Sequence, residues 1–189
     1  MSEKIVLKNV RLSYEHIFKA DSIGDSDPKY SASWIIPKND PQVKTIKEAL
    51  CKALDEEFPG KRKPGAPWPS SMHNPLSDGD EMADEHPEYA GCYVLKSSSK
   101  NRPKVFDRRK LPITAEDELI YSGCYCNASL AAAGFEAKSN SGAALNKGVT
   151  VYLNGVQFVK DGERLAGYDA TNDFEELDDE DGEDYDGLL

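Results

Sequence analysis

The chain has 189 residues, with 23 Lys and Arg against 34 Asp and Glu, and a formal net charge of −11. That length fits one domain with a sizeable core, and no apolar run is long enough to span a bilayer. The amino terminus, MSEKIVLKNV, has no secretory-signal pattern, so a soluble protein of the cytoplasm with no membrane partner is expected.

The acidity is concentrated at one end. Thr171–Leu189 (TNDFEELDDEDGEDYDGLL) carries ten of the carboxylates and no Lys or Arg, which leaves 24 acidic against 23 basic residues upstream. A block of like charge this dense repels itself and has little apolar surface to bury, so disorder is expected there. Phe174, Leu177, Tyr185, Leu188 and Leu189 punctuate it. Negative charge interleaved with flat or apolar groups imitates a nucleic-acid strand; the plainer reading is a solubility tail. The expected organisation is a folded domain over residues 1–170 and an acidic tail over 171–189.

In chain order, Lys4–Tyr14 (KIVLKNVRLSY) alternates as a half-buried strand does, and Glu15–Pro28 is polar enough to predict a loop. In Lys29–Pro37 (KYSASWIIP), Tyr30, Ala32, Trp34 and Ile36 share one face and Ser31 and Ser33 the other, which puts Trp34 in the core. Asp40-Pro41 opens a helix, with a side-chain acceptor followed by proline at the first helical position. Val43, Ile46, Leu50, Ala53 and Leu54 form one apolar stripe, running down to Phe58 before Pro59-Gly60 ends it. Residues 59–88 hold five prolines between Pro59 and Pro75 and predict a long irregular excursion. Tyr89–Ser99, Pro103–Asp107, Leu119–Leu130 and Gly148–Lys160 then read as strands, the first two bracketing a basic turn. Five or six strands and one helix make a small, mainly β barrel the natural architecture.

Positive charge gathers where the neutral body average conceals it. Lys96–Lys110 (KSSSKNRPKVFDRRK) holds seven basic residues, including Lys100, Arg102, Lys104, Arg108 and Arg109, against the single acid Asp107. Lys61-Arg62-Lys63 lies just before Trp68. Cations neutralise phosphates and release counterions, while aromatic faces stack on unpaired bases at about 1–3 kcal/mol each. A solvated hairpin tip is the alternative reading of these residues. Tyr89, Gly91 and Tyr93 on one expected strand, and Tyr121, Gly123 and Tyr125 on the next, place tyrosines two either side of a glycine. They form either a base-stacking platform or a core lining with hydroxyls at its edge.

Other chemistry is weakly supported. Asp78, Asp80 and Glu81, with His73 and His86 near, suggest a hard-cation site or a metal-dependent nuclease, yet PLSDGDE also reads as a turn. Cys92, Cys124 and Cys126 share a parity but read as core thiols rather than zinc ligands, and with Cys51 they are expected to be reduced. There is no Gly-rich phosphate loop, no nucleophile elbow and no Ser/His/Asp set, so neither a cofactor, a metal nor an enzymatic activity is expected.

Several runs, taken in order, resemble phage-encoded single-stranded DNA-binding proteins. They are NVRLSY at 9–14, KYSASWIIPK at 29–38, PLSDGDE at 75–81, YSGCY at 121–125, the segment LNKGVTVYLNGVQFVKDGERL and the aspartate-rich tail. The resemblance implies an OB-fold-like Greek-key barrel with one helix and a disordered acidic tail. It implies sequence-independent binding of single-stranded DNA in phage replication, recombination or repair. The tail would compete with DNA and recruit replication or recombination proteins, and self-association is compatible with the pattern. Two departures stand out: the tail ends Asp186-Gly187-Leu188-Leu189 rather than on an aromatic residue, and the helix follows the second strand rather than the third. The residues expected to contact DNA are Trp68, Tyr93, Lys100, Arg102, Lys104, Phe106, Arg108, Arg109, Tyr121 and Tyr125. The competing reading is a DNA-mimicking interaction module that inhibits a host enzyme.

Overall fold

β1 (Glu3–Asp21) is the longest strand, and it is bent twice. Asn9 and Tyr14 take positive φ values of 52° and 46°, and the pairing register slips at both places. Each slip inserts a bulge that turns the strand. The bends let residues 3–11 pair with β6 (Tyr125–Lys138) and residues 11–21 pair with β2 (Lys29–Pro37), so one strand serves two walls. They also break the alternation after Tyr14, which is why the sequence there resembles a loop although the strand runs on to Asp21.

The computed structural model describes residues 2–22, 24–138 and 144–165. The acidic tail at 171–189 lies outside the described residues. The other elements are helix α1 (Gln42–Glu57), β3 (Leu76–Asp78), β4 (Cys92–Ser99), β5 (Lys104–Phe106) and β7 (Ala144–Lys160), with short 3-10 turns at Gly79–Met82, Pro87–Tyr89 and Ala115–Asp117. The sheet order is β3-β4-β2-β1-β6-β7-β5, and a parallel pairing of β4 with β7 at Ser98 and Tyr152 closes β1, β2, β4, β7 and β6 into a five-stranded barrel. This is the Greek-key order of an OB-fold, with β3 and β5 added at its edges.

The differences from the expected elements have local causes. Gly123 sits at φ +115°, so the strand expected from Leu119 starts only at Tyr125. It then continues through the Ala- and Gly-rich stretch to Lys138, because β7 pairs with it throughout; small residues carry little strand signal of their own. Pro87–Tyr89 forms a 3-10 turn and Gly91 turns the chain at φ +70°, so β4 begins at Cys92 rather than Tyr89. β4 and β5 form no hairpin, since β5 pairs with β7 instead. β4 and β6 are not neighbours, so the two tyrosine-glycine-tyrosine runs do not make one platform.

The helix lies between the second and third barrel strands, as the sequence order places it. Asp40 Oδ1 accepts the Gln42 amide at 2.9 Å, and Pro41 already has helical dihedrals (φ −56°, ψ −25°). Val43, Ile46, Leu50, Ala53 and Leu54 are buried, and the helix packs chiefly on β6 and β1. The segment between the third and fourth barrel strands carries β5 instead of a helix.

Trp34 is wholly buried; its Nε1 donates to Ser97 Oγ at 3.0 Å, and that hydroxyl donates to Ala32 O at 2.9 Å. A buried indole N–H is thereby satisfied inside the barrel. Cys124 and Cys126 are buried with sulfurs 3.6 Å apart, and contact with Cys124 together with burial holds the Cys126 thiol above its ordinary range. Cys92 packs elsewhere, beside Ile35, Tyr89 and Val94. Among the described residues, no helix is long and apolar enough to cross a membrane.

Candidate nucleic-acid interface

The alternation of β2 and β4 gives the barrel two faces here. Trp34, Ile36 and Leu95 point into the core, while Ser31, Ser33, Lys96 and Ser98 point out. Over that outer face runs a groove of two adjoining hollows, about 500 Å³ and 520 Å³, which share His73, Ser98 and Thr150.

Three irregular segments build its walls. The bulge in β1 presents Tyr14 and His16 along one side. Tyr14 holds a left-handed backbone that bulky residues rarely adopt, tied by its amide to Ser122 Oγ at 3.2 Å and by its hydroxyl to His86 Nδ1 at 3.0 Å. The excursion after α1 straps His73 onto β7: the His73 amide donates to Lys147 O at 2.8 Å, and the Val149 amide to His73 O at 3.1 Å. Gly148 permits this approach, because at φ +150° a Cβ there would collide with the His73 backbone. The third wall is the segment from Met82 to Tyr89. Asp80 anchors it, taking the Gly91 amide at 2.7 Å and Lys38 Nζ at 2.6 Å.

The charge of the groove opposes that of the chain. Among the described residues lining the two hollows there is no Asp or Glu, while Lys29, Lys96 and Lys100 line them with three histidines. Exposed aromatic surface comes from Tyr14 and Tyr152, 48% and 45% accessible, and Phe135 adds a ring at the far end. Cations, hydroxyls and exposed rings along an open channel are the fittings that hold an unpaired strand.

The ten residues expected from the sequence fall in five places. Lys100 lines the groove. Trp68 and Tyr93 come together on the opposite side of β4, in a hollow of about 400 Å³ beside α1. There Trp68 Nε1 donates to Met72 O at 3.0 Å, and Lys47 lies 4.4 Å from the Tyr93 ring. Arg102, Lys104 and Phe106 share a hollow of about 700 Å³ with Phe18 and Ile113, and the Arg102 guanidinium donates to Phe18 O at 3.0 Å. Arg108 and Arg109 are exposed on the turn after β5. Tyr121 and Tyr125 are half-buried at the end of the barrel, beneath Arg164 at 4.5 Å and Lys160 at 4.7 Å. Tyr89 is buried with its hydroxyl 2.9 Å from Ser13 Oγ, the core-lining alternative.

Sequence reasoning passed over Tyr14, Phe135 and Tyr152 as strand contacts, and placed His73 and His86 beside a possible cation site instead. The available signal was the polar outward parity of Ser31, Ser33, Lys96 and Ser98 on strands that pair. Two of the acidic trio are engaged otherwise: Lys38 Nζ lies 2.8 Å from Asp78 and 2.6 Å from Asp80, and the Asp78 carboxyl is held below its usual range by Lys38, the Asp80 carboxyl by the Gly91 amide and then Lys38. Among the described residues, no group of His, Cys, Asp or Glu is arranged to hold a metal ion.

The fold and groove define an OB-fold barrel with a cationic, aromatic-lined channel on its second and third strands. The family model described as "Enterobacter phage Enc34, ssDNA-binding protein" matches residues 3–185, and the chain belongs to that family. It is similar to protein p50 of Acyrthosiphon pisum secondary endosymbiont phage 1, with 37% identity over 170 residues and 87% of each chain covered. Among solved structures it is similar to the single-stranded DNA-binding protein from bacteriophage Enc34 in complex with ssDNA, at 25% identity and TM-score 0.71, covering 87% of this chain and 90% of that one. It also shares the fold of gp2.5, a single-stranded DNA binding protein encoded by bacteriophage T7, at 16% identity and TM-score 0.59, covering 93% of this chain and 96% of that one.

Proposed function

We propose that this protein is a non-enzymatic binder of single-stranded DNA that coats the strand in the groove over β2 and β4, during phage replication, recombination or repair. The observation that carries this reading is the groove's inverted charge. In a chain that is acidic overall, no Asp or Glu among the described residues lines this channel, and three lysines do. Lys29, Lys96 and Lys100 neutralise phosphates, and Tyr14, Phe135 and Tyr152 stack on bases. Lys100 is followed directly by the hollow of Arg102, Lys104 and Phe106, so a strand leaving the groove continues past Arg108 and Arg109. Trp68 with Tyr93, and Tyr121 with Tyr125, are secondary stacking surfaces in this reading.

The acidic tail competes with DNA for the groove and hands itself to a replication or recombination protein when displaced. Supporting this, the last described residue, Leu165, packs against the cluster of Ile35, Tyr89 and Val94, and Tyr89 and Val94 also line the groove. The last described residue therefore lies beside the channel.

The test is titration of a fluorescent oligo-dT with the wild type and with a Lys29→Glu, Lys96→Glu, Lys100→Glu variant, at low and physiological salt. The wild type is expected to bind with a steep salt dependence and the variant to lose both affinity and part of the salt slope. Binding that survives this triple reversal but is lost on reversing Arg108 and Arg109 would move the site off the groove.

A further inference from the structure

Histidine is scarce in this chain: His16, His73 and His86 are its only three. All three line the first hollow of the groove. They come from separate places, β1, the strap after α1 and the segment between β3 and β4, so no local pattern in the sequence gathers them. The fold alone brings them to one channel, and no Asp or Glu among the described residues lines it.

Their surroundings hold the rings in position and leave donors for a ligand. His86 stands 5.4 Å from the Tyr14 ring and 4.9 Å from the Tyr89 ring, with Nδ1 facing Tyr14 Oη at 3.0 Å and Glu88 at 3.5 Å. Its Nε2 remains to donate. His16 Nε2 lies 3.7 Å from Asp21, which leaves Nδ1. His73 is fixed through its backbone to β7, and its ring meets the edge of Phe135 at 6.0 Å. The charged groups facing them are Glu15, Asp21 and Glu88, which favour protonated rings, and Lys29, Lys96 and Lys100, which oppose them. A neutral imidazole in such a site accepts or donates a hydrogen bond. A protonated one donates from both nitrogens and carries a full charge.

We propose that His16, His73 and His86 are strand contacts that pair with phosphates in their protonated form, so that acidification tightens the groove's hold on single-stranded DNA. This rests on the strand-binding reading above. Histidine is the side chain whose charge changes near neutral pH, at about 6.5 in model peptides. Proton and phosphate then bind together: the strand raises the fraction of protonated rings, and protonated rings raise affinity for the strand.

Two measurements test this on the full chain. The first is the salt slope of oligo-dT affinity at pH 6 and pH 8, for the wild type and a His16→Gln, His73→Gln, His86→Gln variant. Three added phosphate contacts steepen the wild-type slope at pH 6 by about 2, at about 0.7 for each single-strand phosphate neutralised. The variant is expected to show one slope at both pH values. The second uses the wild type alone: calorimetric titration near pH 6.5 in buffers of different ionisation enthalpy, where binding is expected to take up protons. Tight binding with equal slopes and no proton uptake overturns this inference and leaves the strand-binding reading standing. A pH-dependent slope that persists in the variant also overturns it. Absence of binding at both pH values overturns both.

Discussion

Asp80 shows how one side chain shapes the groove without entering it. Its two oxygens take the Gly91 amide and the Lys38 ammonium, closing the excursion that carries Met82, His86 and Tyr89 onto the β2–β4 face. These bonds lower its carboxyl pKa from the ordinary 3.8, the Gly91 bond first and Lys38 second. A carboxyl lowered in the folded state contributes stability that is present above its unfolded value and lost as pH falls through the folded one. Asp80→Asn is therefore expected to melt earlier than the wild type at pH 7, with the gap closing as both are taken below pH 4. Thermal melts across that range check it, and a gap unchanged at pH 3 would remove the charge from the explanation. The sequence marks PLSDGDE as acidic and turn-like; that its carboxylates serve a lysine from the end of β2 depends on a contact about forty residues away.

At the scale of elements, the strap and the bent first strand decide where the groove lies. Gly148 lets the strap pass close over β7, so Gly148→Ala forces its backbone or His73 to move. The cost expected for holding alanine at that backbone angle is on the order of 1–3 kcal/mol. Because the strap forms a wall and not the barrel, oligo-dT affinity should fall further than stability does. Comparing the binding curve with a denaturant melt separates the two, and equal losses would mean that the strap supports the barrel itself. Elements with strong periodicity were legible beforehand: α1 by its apolar stripe, β2 by its alternation, β7 by its β-branched run. Those set by pairing were not, because bulges at Asn9 and Tyr14 hide the length of β1 and Ala-rich β6 has little propensity to read. The basic run after Lys96 was legible as charge, but β5 pairs with β7 and sends its cations in different directions.

For the whole molecule, two electrostatic regions sit on one chain: a nearly neutral body with a cationic groove, and a tail of ten carboxylates. If the tail competes for the groove, truncation after Ala170 tightens oligo-dT binding most at low salt, and the advantage shrinks as screening increases. Fluorescence titration of both chains at two salt concentrations measures this, and equal affinities at low salt would rule out internal competition. The sequence by itself determined the uneven distribution of charge, the mainly β class, the helix and its buried face, and, through several runs in order, the resemblance to phage single-stranded DNA-binding proteins. Composition and short-range periodicity suffice for the first three, since they depend on residues within a few positions of one another; the resemblance rests on the order of those runs along the chain. Only the tertiary structure assembled the groove. Tyr14, His73, His86, Lys96 and Tyr152 are far apart along the chain, and what joins them is closure of the barrel between β4 and β7 and a strap laid across it. Such pairings between distant segments leave no local trace in the order of the residues.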